Sequence, residues 1–368
     1  MSAPIDEKKV AAETAPDANA EPALTEQPVG ATASTASEVP AASTTEEDAK
    51  PEPAAAPATA ADATTEAEAS KTEEAEKPEV PAKDQAPAAT EGPVWPHLAE
   101  QHPINLLLAA LPELITEASG HSEVYGINLD PAGPFHTKLI LQKFLRANAN
   151  DIGKAKSQLG ETLKWRNTFK PLAALEETFT KDRYEGLGYV IEAEGVPGSP
   201  NKKDIITFNI YGAVKDNKAT FGDVEAFLRW RVALMELGIK KLNLASAAEP
   251  IPDYGAGPDP YQGIQVHDYL SVSFIRQDPN VKAASRRTID LFSKVYPETL
   301  SRKFFVNVPA IMGWMFQAFK LILSKETIRK FTVLAYGNQL AGELGTNVPE
   351  AYGGKTGGLE TIGEQTKF

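Results

Sequence analysis

Three short stretches of this chain share one constraint: each reads as a β-strand with one apolar and one polar face. In Ile264–Phe274, Val266, Asp268, Leu270, Val272 and Phe274 alternate with Gln265, His267, Tyr269, Ser271 and Ser273. Successive side chains of a strand point to opposite faces, so these are two unlike rows. In Asp204–Tyr211, Ile206, Phe208 and Ile210 oppose Thr207, Asn209 and Tyr211. In Lys303–Val308, Phe304, Val306 and Val308 oppose Lys303, Phe305 and Asn307. Helical patterns separate the stretches, which predicts a mostly parallel sheet, and such sheets are normally covered and apolar on both faces. A half-polar sheet needs water, an edge position or a polar ligand over its second face. The expectation is a ligand cavity floored by this sheet, provided the three polar rows share a face.

Not all of the 368 residues can belong to such a fold. Residues 1–92 are mainly Ala, Pro, Glu, Thr and Ser, and the first aromatic residue is Trp95. A segment of this kind buries too little apolar area to offset its ordering entropy, so a disordered tail is expected. It holds 20 Asp and Glu against 6 Lys and Arg, a net of −14. The whole chain is −13, which leaves about +1 for the remainder. The acidity therefore belongs to the tail and says little about what the folded part binds.

The absence of cysteine excludes disulfides, thiolate catalysis and thiolate metal sites. Met1–Lys9 has no apolar stretch behind a basic start, so no signal peptide is expected. The longest apolar run, Ala310–Leu323, is shorter than the roughly 20 residues that span a bilayer. A soluble protein with at most peripheral membrane contact follows.

Along the chain, helical patterns occupy residues 93–182, with Asp151 as the cap of one helix. From Gly186 the pattern alternates. Strands are expected at Leu187–Ala193, Asp204–Tyr211, Ile264–Phe274, Lys303–Val308 and Phe331–Tyr336. Helices are expected at Gly222–Leu244, Pro279–Tyr296 and Ala310–Leu323. The fold class is α/β: a helical lobe, then a mixed, mostly parallel sheet flanked by helices. Ser246–Gly263, rich in Pro, Gly and Asp, reads as a surface loop.

One helix carries a cation where none belongs. Arg231 falls three or four positions from Phe227, Leu234 and Met235, on the apolar stripe. It either snorkels, pairs with a core carboxylate, or faces an anionic ligand group or a phenolate such as that of Tyr269. Arg229 lies four after Glu225, the spacing of an exposed ion pair.

These residues carry a resemblance. Leu141–Lys156 followed by Leu163–Arg166 resembles the helical lobe of the CRAL-TRIO family. Tyr296-Pro297-Glu298, Phe305–Pro309, the apolar run after it and Pro349–Gly354 resemble that family's lipid-binding domain. Within the fungal phosphatidylinositol transfer proteins, Phe227–Glu236 and Gln265–Tyr269 resemble the non-classical, haem-binding subgroup.

The resemblance implies a helical lobe at 93–182, a lipid-binding domain at 183–360 and a C-terminal tail at 361–368. Ala310–Leu323 would be a mobile gate helix, although its apolar pattern alone equally suits a buried core helix. Phosphatidylinositol is the implied ligand, exchanged between membranes, with Glu298 and Lys330 at the inositol phosphate head group. Transient, peripheral contact with cytoplasmic or endoplasmic-reticulum (microsomal) surfaces is implied too. The subgroup further implies haem b with ferric iron, with Tyr269 as the axial ligand and Tyr211, Arg231, His267 and Lys303 as the other pocket residues. A carrier is implied, not an enzyme. Tyrosinate is a hard, anionic ligand that suits ferric iron, and it needs a metal or a cation to ionise near neutral pH.

Competing functions fare less well. No Gly-x-Ser-x-Gly elbow, Walker or Rossmann signature is present. His97, His102, His121, His136 and His267 are scattered, without metal-ligand spacing. Nucleic acid is not expected from a near-neutral folded part. A haem-dependent peroxide-handling enzyme and a ligand-free interaction module remain as alternatives. Oligomeric state is not readable from these residues.

Overall fold

The computed structural model describes residues 92–273, 278–309 and 328–368. The acidic tail and the expected gate helix Ala310–Leu323 lie outside the described residues, as does Phe274. What is described falls in one compact unit, Lys83–Phe368.

Three long helices open it: α1 (Pro103–Glu117), α2 (Phe135–Ala147) and α3 (Ile152–Phe169). Asp151 caps α3 as expected, its Oδ1 accepting from the Lys154 N–H at 3.0 Å. Their apolar faces meet in one core with Leu107, Leu111, Leu139, Phe144, Leu159 and Leu163.

The sheet follows in the order β1 (Gly188–Glu194), β2 (Lys203–Ile210), β3 (Gly263–Asp268), β4 (Leu300–Val306) and β5 (Phe331–Val333). β1 pairs antiparallel with β2 and the other pairings are parallel. All five expected strands are present in a mixed, mostly parallel sheet. Helices α4 (Val224–Leu242) and α5 (Pro279–Val295) connect strands β2 to β3 and β3 to β4.

Ladder register settles which residues share a face. Thr207 pairs with Gln265 and Gln265 with Lys303; Asn209 pairs with His267 and His267 with Phe305. Paired residues in a parallel ladder point the same way, so the three polar rows form one surface. On the other face Phe208, Val266 and Phe304 join Ile191, Leu340, Leu344 and Tyr352 in an apolar core. The polar surface faces α4: Gln265 Nε2 lies 3.7 Å from Met235 Sδ, and a Cβ on Gly238 would stand 3.0 Å from Thr207 Oγ1.

Several details differ from the sequence reading. β3 ends at Asp268 rather than Phe274, because Ser271 adopts a left-handed φ of 67° and turns the chain. Asn307 leaves the polar row: at φ 59° its side chain reaches Asp268 Oδ1 at 2.7 Å. Arg229 does not pair with Glu225. It reaches Glu177 and the Phe169 carbonyl, while Glu225 meets Arg287 at 3.7 Å. A partner fixed by tertiary packing outcompetes an exposed helical neighbour.

Ser246–Gly263 is more than a surface loop, since Ile251, Asp259 and Gln262 are buried. Lys143 Nζ of α2 donates to Asp259 at 2.7 Å, and Arg146 Nη1 to the Pro252 carbonyl at 2.7 Å. Residues 361–368 run back over the fold: Trp230 Nε1 donates to Thr366 Oγ1 at 3.1 Å, and Phe368 packs on the core beneath α4. Among the described residues no helix is long and apolar enough to cross a membrane, and no cluster of His, Asp and Glu could hold a metal ion.

Candidate functional site

The polar face of the sheet collects its chemistry around the C-terminal ends of β2 and β3. Tyr211 sits in the turn directly after β2. The turn must come close to the end of β3: a Cβ on Gly212 would stand 1.8 Å from the Leu270 carbonyl oxygen, so only glycine fits. That approach sets the Tyr211 ring 5.4 Å, centroid to centroid, from both His267 and Tyr269. Tyr269 follows the last residue of β3, and its N–H still donates to the Val306 carbonyl at 3.1 Å. The ladder thus runs one step past the strand and keeps Tyr269 on the face of His267. Phe305 of β4 completes the wall, 5.7 Å from His267 and 6.3 Å from Tyr269.

Two cations enter this wall. Arg231 projects from α4 with 2% exposure and lies over the Trp230 and Phe292 rings at 5.7 and 5.5 Å. It finds no carboxylate among the described residues; its polar neighbours are the Tyr211 and Tyr269 phenols. Burial lowers its pKa and the Tyr211 phenol acts against that. Lys303 of β4 is half-buried, its Nζ 5.5 Å from the Phe305 centroid and 5.7 Å from that of Phe331. Desolvation, reinforced by the Arg231 charge, pushes its pKa down to about 7.

The other groups respond to the same environment. Burial, with Lys303 and Arg231 beside it, holds His267 well below the usual imidazole range, so its ring is neutral. Burial and Tyr211 push the Tyr269 phenol well up, and Arg231 opposes them. On this face three buried polar atoms lack a hydrogen-bond partner among the described residues: Arg231 Nε, His267 Nε2 and Asn209 Oδ1. An unmet buried donor or acceptor costs on the order of 1–3 kcal/mol, so three on one face mark a surface built to meet something polar.

Glu298 and Lys330 form a second locus. Glu298 Oε1 lies 3.7 Å from Lys330 Nζ, just before the first residues of β4 and β5, at the opposite end of the strands from Tyr269. Gln262 Nε2 donates to Glu298 Oε2 at 2.8 Å, and Arg146 Nε lies 3.6 Å from it. Lys330 Nζ spends one donor on the Leu300 carbonyl at 2.6 Å and has two more to offer.

So Tyr211, Arg231, His267, Tyr269 and Lys303 come together, and Glu298 and Lys330 come together at the opposite end of the strands from Tyr269, where the Lys330 carbonyl accepts from the Lys303 N–H at 2.8 Å. The sequence reading missed Phe331 as a wall of the site. Its strand was expected, and its pairing with Lys303 gives the face. Arg146 beside Glu298 was also missed, for want of any local signal over that sequence distance.

Residues 193–354 match the model of the CRAL/TRIO domain. The chain is 63% identical over 273 residues to a protein from Phaeosphaeria nodorum named phosphatidylinositol transfer protein SFH5, a match covering 74% of this chain and 82% of that one. A protein of the same name from Cryptococcus neoformans is 50% identical over 270 residues, covering 71% of this chain and 89% of the other. A solved structure titled "Crystal structure of Sfh5" superposes with a TM-score of 0.62 at 29% identity, covering 73% of this chain and 92% of that one.

Proposed function

This chain belongs to the CRAL/TRIO family, and from that premise we propose that it binds phosphatidylinositol over the polar face of its sheet and exchanges it between membranes. The relatives' name, phosphatidylinositol transfer protein, supports the reading. The observation that carries it is the Glu298–Lys330 pair at 3.7 Å, both side chains partly exposed. Lys330 offers a point charge and spare donors to a phosphate, while Glu298 accepts from ring hydroxyls. Contact with the bilayer would be peripheral, on cytoplasmic or endoplasmic-reticulum surfaces. A gate formed by Ala310–Leu323 belongs to the same proposal. Transfer of labelled phosphatidylinositol between vesicles tests it: wild type transfers, and the double substitution of Glu298 and Lys330 by Ala does not. Equal transfer by both would refute this head-group site.

The cluster around Tyr269 favours a second ligand, haem. Its residues fit the group: two cations suit two propionates, a phenol suits ferric iron, and Arg231 Nε and His267 Nε2 are unmet. Haem bound here would supply a redox-active ferric centre, the basis for any part in oxidant stress. Tyr269 would hold the iron through its phenol oxygen, and Arg231 would supply the cation that favours the phenolate. Tyr211 and Lys303 would help to hold the group, and the neutral His267 would offer a hydrogen bond beside Tyr269. The protein is read as a carrier.

A further inference from the structure

Helix α5 divides its residues sharply between two faces. Inward, Val281 and Ala284 pack in one core with Phe221 and Phe227, and Leu291, Phe292 and Val295 pack in the core of the helical lobe. Phe292 also lies 5.5 Å under the Arg231 guanidinium, so the helix backs the ligand wall. Gln158 Nε2 of α3 donates to the Lys294 carbonyl at 2.9 Å and fixes the C-terminal end. Outward, Lys282, Arg286, Asp290 and Lys294 follow one another at intervals of four, a single row along the helix, with Arg287 beside it. All five side chains are exposed. The 17 residues carry four cations and one anion, a net of +3, although residues 93–368 together come to only about +1. Their acidic company is otherwise Glu225, which meets Arg287 at 3.7 Å, and Asp278, which caps the helix by accepting from the Asn280 N–H at 2.8 Å. Among the described residues Lys282, Arg286 and Lys294 have no ion-pair partner.

We infer that the outer face of α5 docks on anionic lipid bilayers at the level of the head groups. The row extends over about 25 Å of helix, which suits a charged plane rather than a point ligand. None of the exposed large apolar side chains lies on α5, whereas a protein partner would be expected to find apolar or aromatic anchors. A head-group plane needs charge alone. Phosphatidylinositol is itself anionic, so membranes that hold it present the complementary sign. The inference rests on the transfer reading for the presence of a membrane, but it places the contact on a helix that neither ligand locus uses.

The test is flotation of full-length protein with vesicles of phosphatidylcholine alone and of an equal mixture with phosphatidylserine. Wild type should prefer the charged vesicles, and rising salt should erase the preference. The combined substitution Lys282→Gln, Arg286→Gln and Lys294→Gln should bind charged vesicles about a hundredfold less, at roughly fivefold per cation, with an unaltered melting temperature. Wild type binding both vesicles equally, or the variant binding charged vesicles as tightly as wild type, would overturn the inference. So would retention of wild type by immobilised polyglutamate but not by charged vesicles, which would assign the row to an acidic protein. Transfer of labelled phosphatidylinositol in the same preparations separates the two readings. Row-dependent binding without transfer sinks transfer alone, and transfer with row-independent binding sinks the docking face alone.

Discussion

The rings of Tyr211 and Tyr269 lie 5.4 Å apart, and one buried guanidinium, that of Arg231, acts on both phenols. Two neutral acids and one cation leave the site short of negative charge. The same protein shows how a buried arginine is otherwise handled. Arg166 Nη1 donates to Glu236 Oε1 at 2.7 Å and Nη2 to Glu123 Oε1 at 2.8 Å, while the Tyr296 hydroxyl donates to Glu236 at 2.6 Å.

That contrast predicts opposite outcomes for one substitution. Arg166→Met leaves Glu236 buried without its cation and should cost about 3–5 kcal/mol. Arg231→Met removes a desolvated charge with no carboxylate partner among the described residues, and should leave stability unchanged or raise it. Urea unfolding midpoints measure both, and the same Arg231 variant should lose affinity for an anionic ligand.

The pH dependence of the ligand-free protein should carry the mark of Lys303. Its folded pKa of about 7 lies below the unfolded lysine value, so between roughly pH 7 and 10 the unfolded chain binds more protons. Stability should therefore rise with pH across that window, and the penalty should be fully present below it. Lys303→Met should flatten the rise in thermal melts; an identical slope in the variant would contradict the assignment.

Asp268 holds the end of β3 from the opposite face. Its Oδ1 accepts from Asn307 Nδ2 at 2.7 Å and the Leu270 N–H at 2.8 Å, and its Oδ2 from the Tyr352 hydroxyl at 2.7 Å. Asp268→Ala strands buried donors and should cost at least about 2 kcal/mol by urea unfolding. A cost near zero would mean that water replaces the carboxylate.

The two loci should be separable. Lys330→Ala should reduce phosphatidylinositol transfer several-fold while leaving any visible spectrum intact, because Lys330 lies at the opposite end of the strands from Tyr269. Vesicle transfer and absorption on one preparation decide it; loss of both would merge the loci.

Much of the site was legible because strand alternation is a local property. Thr207, Gln265 with His267, and Lys303 fell on the polar rows of their own strands by period two, and only the ladder register was needed to join the three rows. Asn307 escaped because a left-handed φ breaks the period, and no residue type announces that reliably. Arg231 was legible as a buried cation, but its phenolic surroundings depend on the close approach at Gly212. The Lys143–Asp259 pair and the Arg229–Glu177 pair join distant segments, which no periodicity encodes.

The most direct test of the Tyr269 site is the visible absorption spectrum of the purified protein beside that of Tyr269→Phe. The account predicts an intense Soret band in the wild type, shifted or lost in the variant. A protein that stays colourless when haem is supplied, or a variant spectrum identical to the wild type, would contradict it.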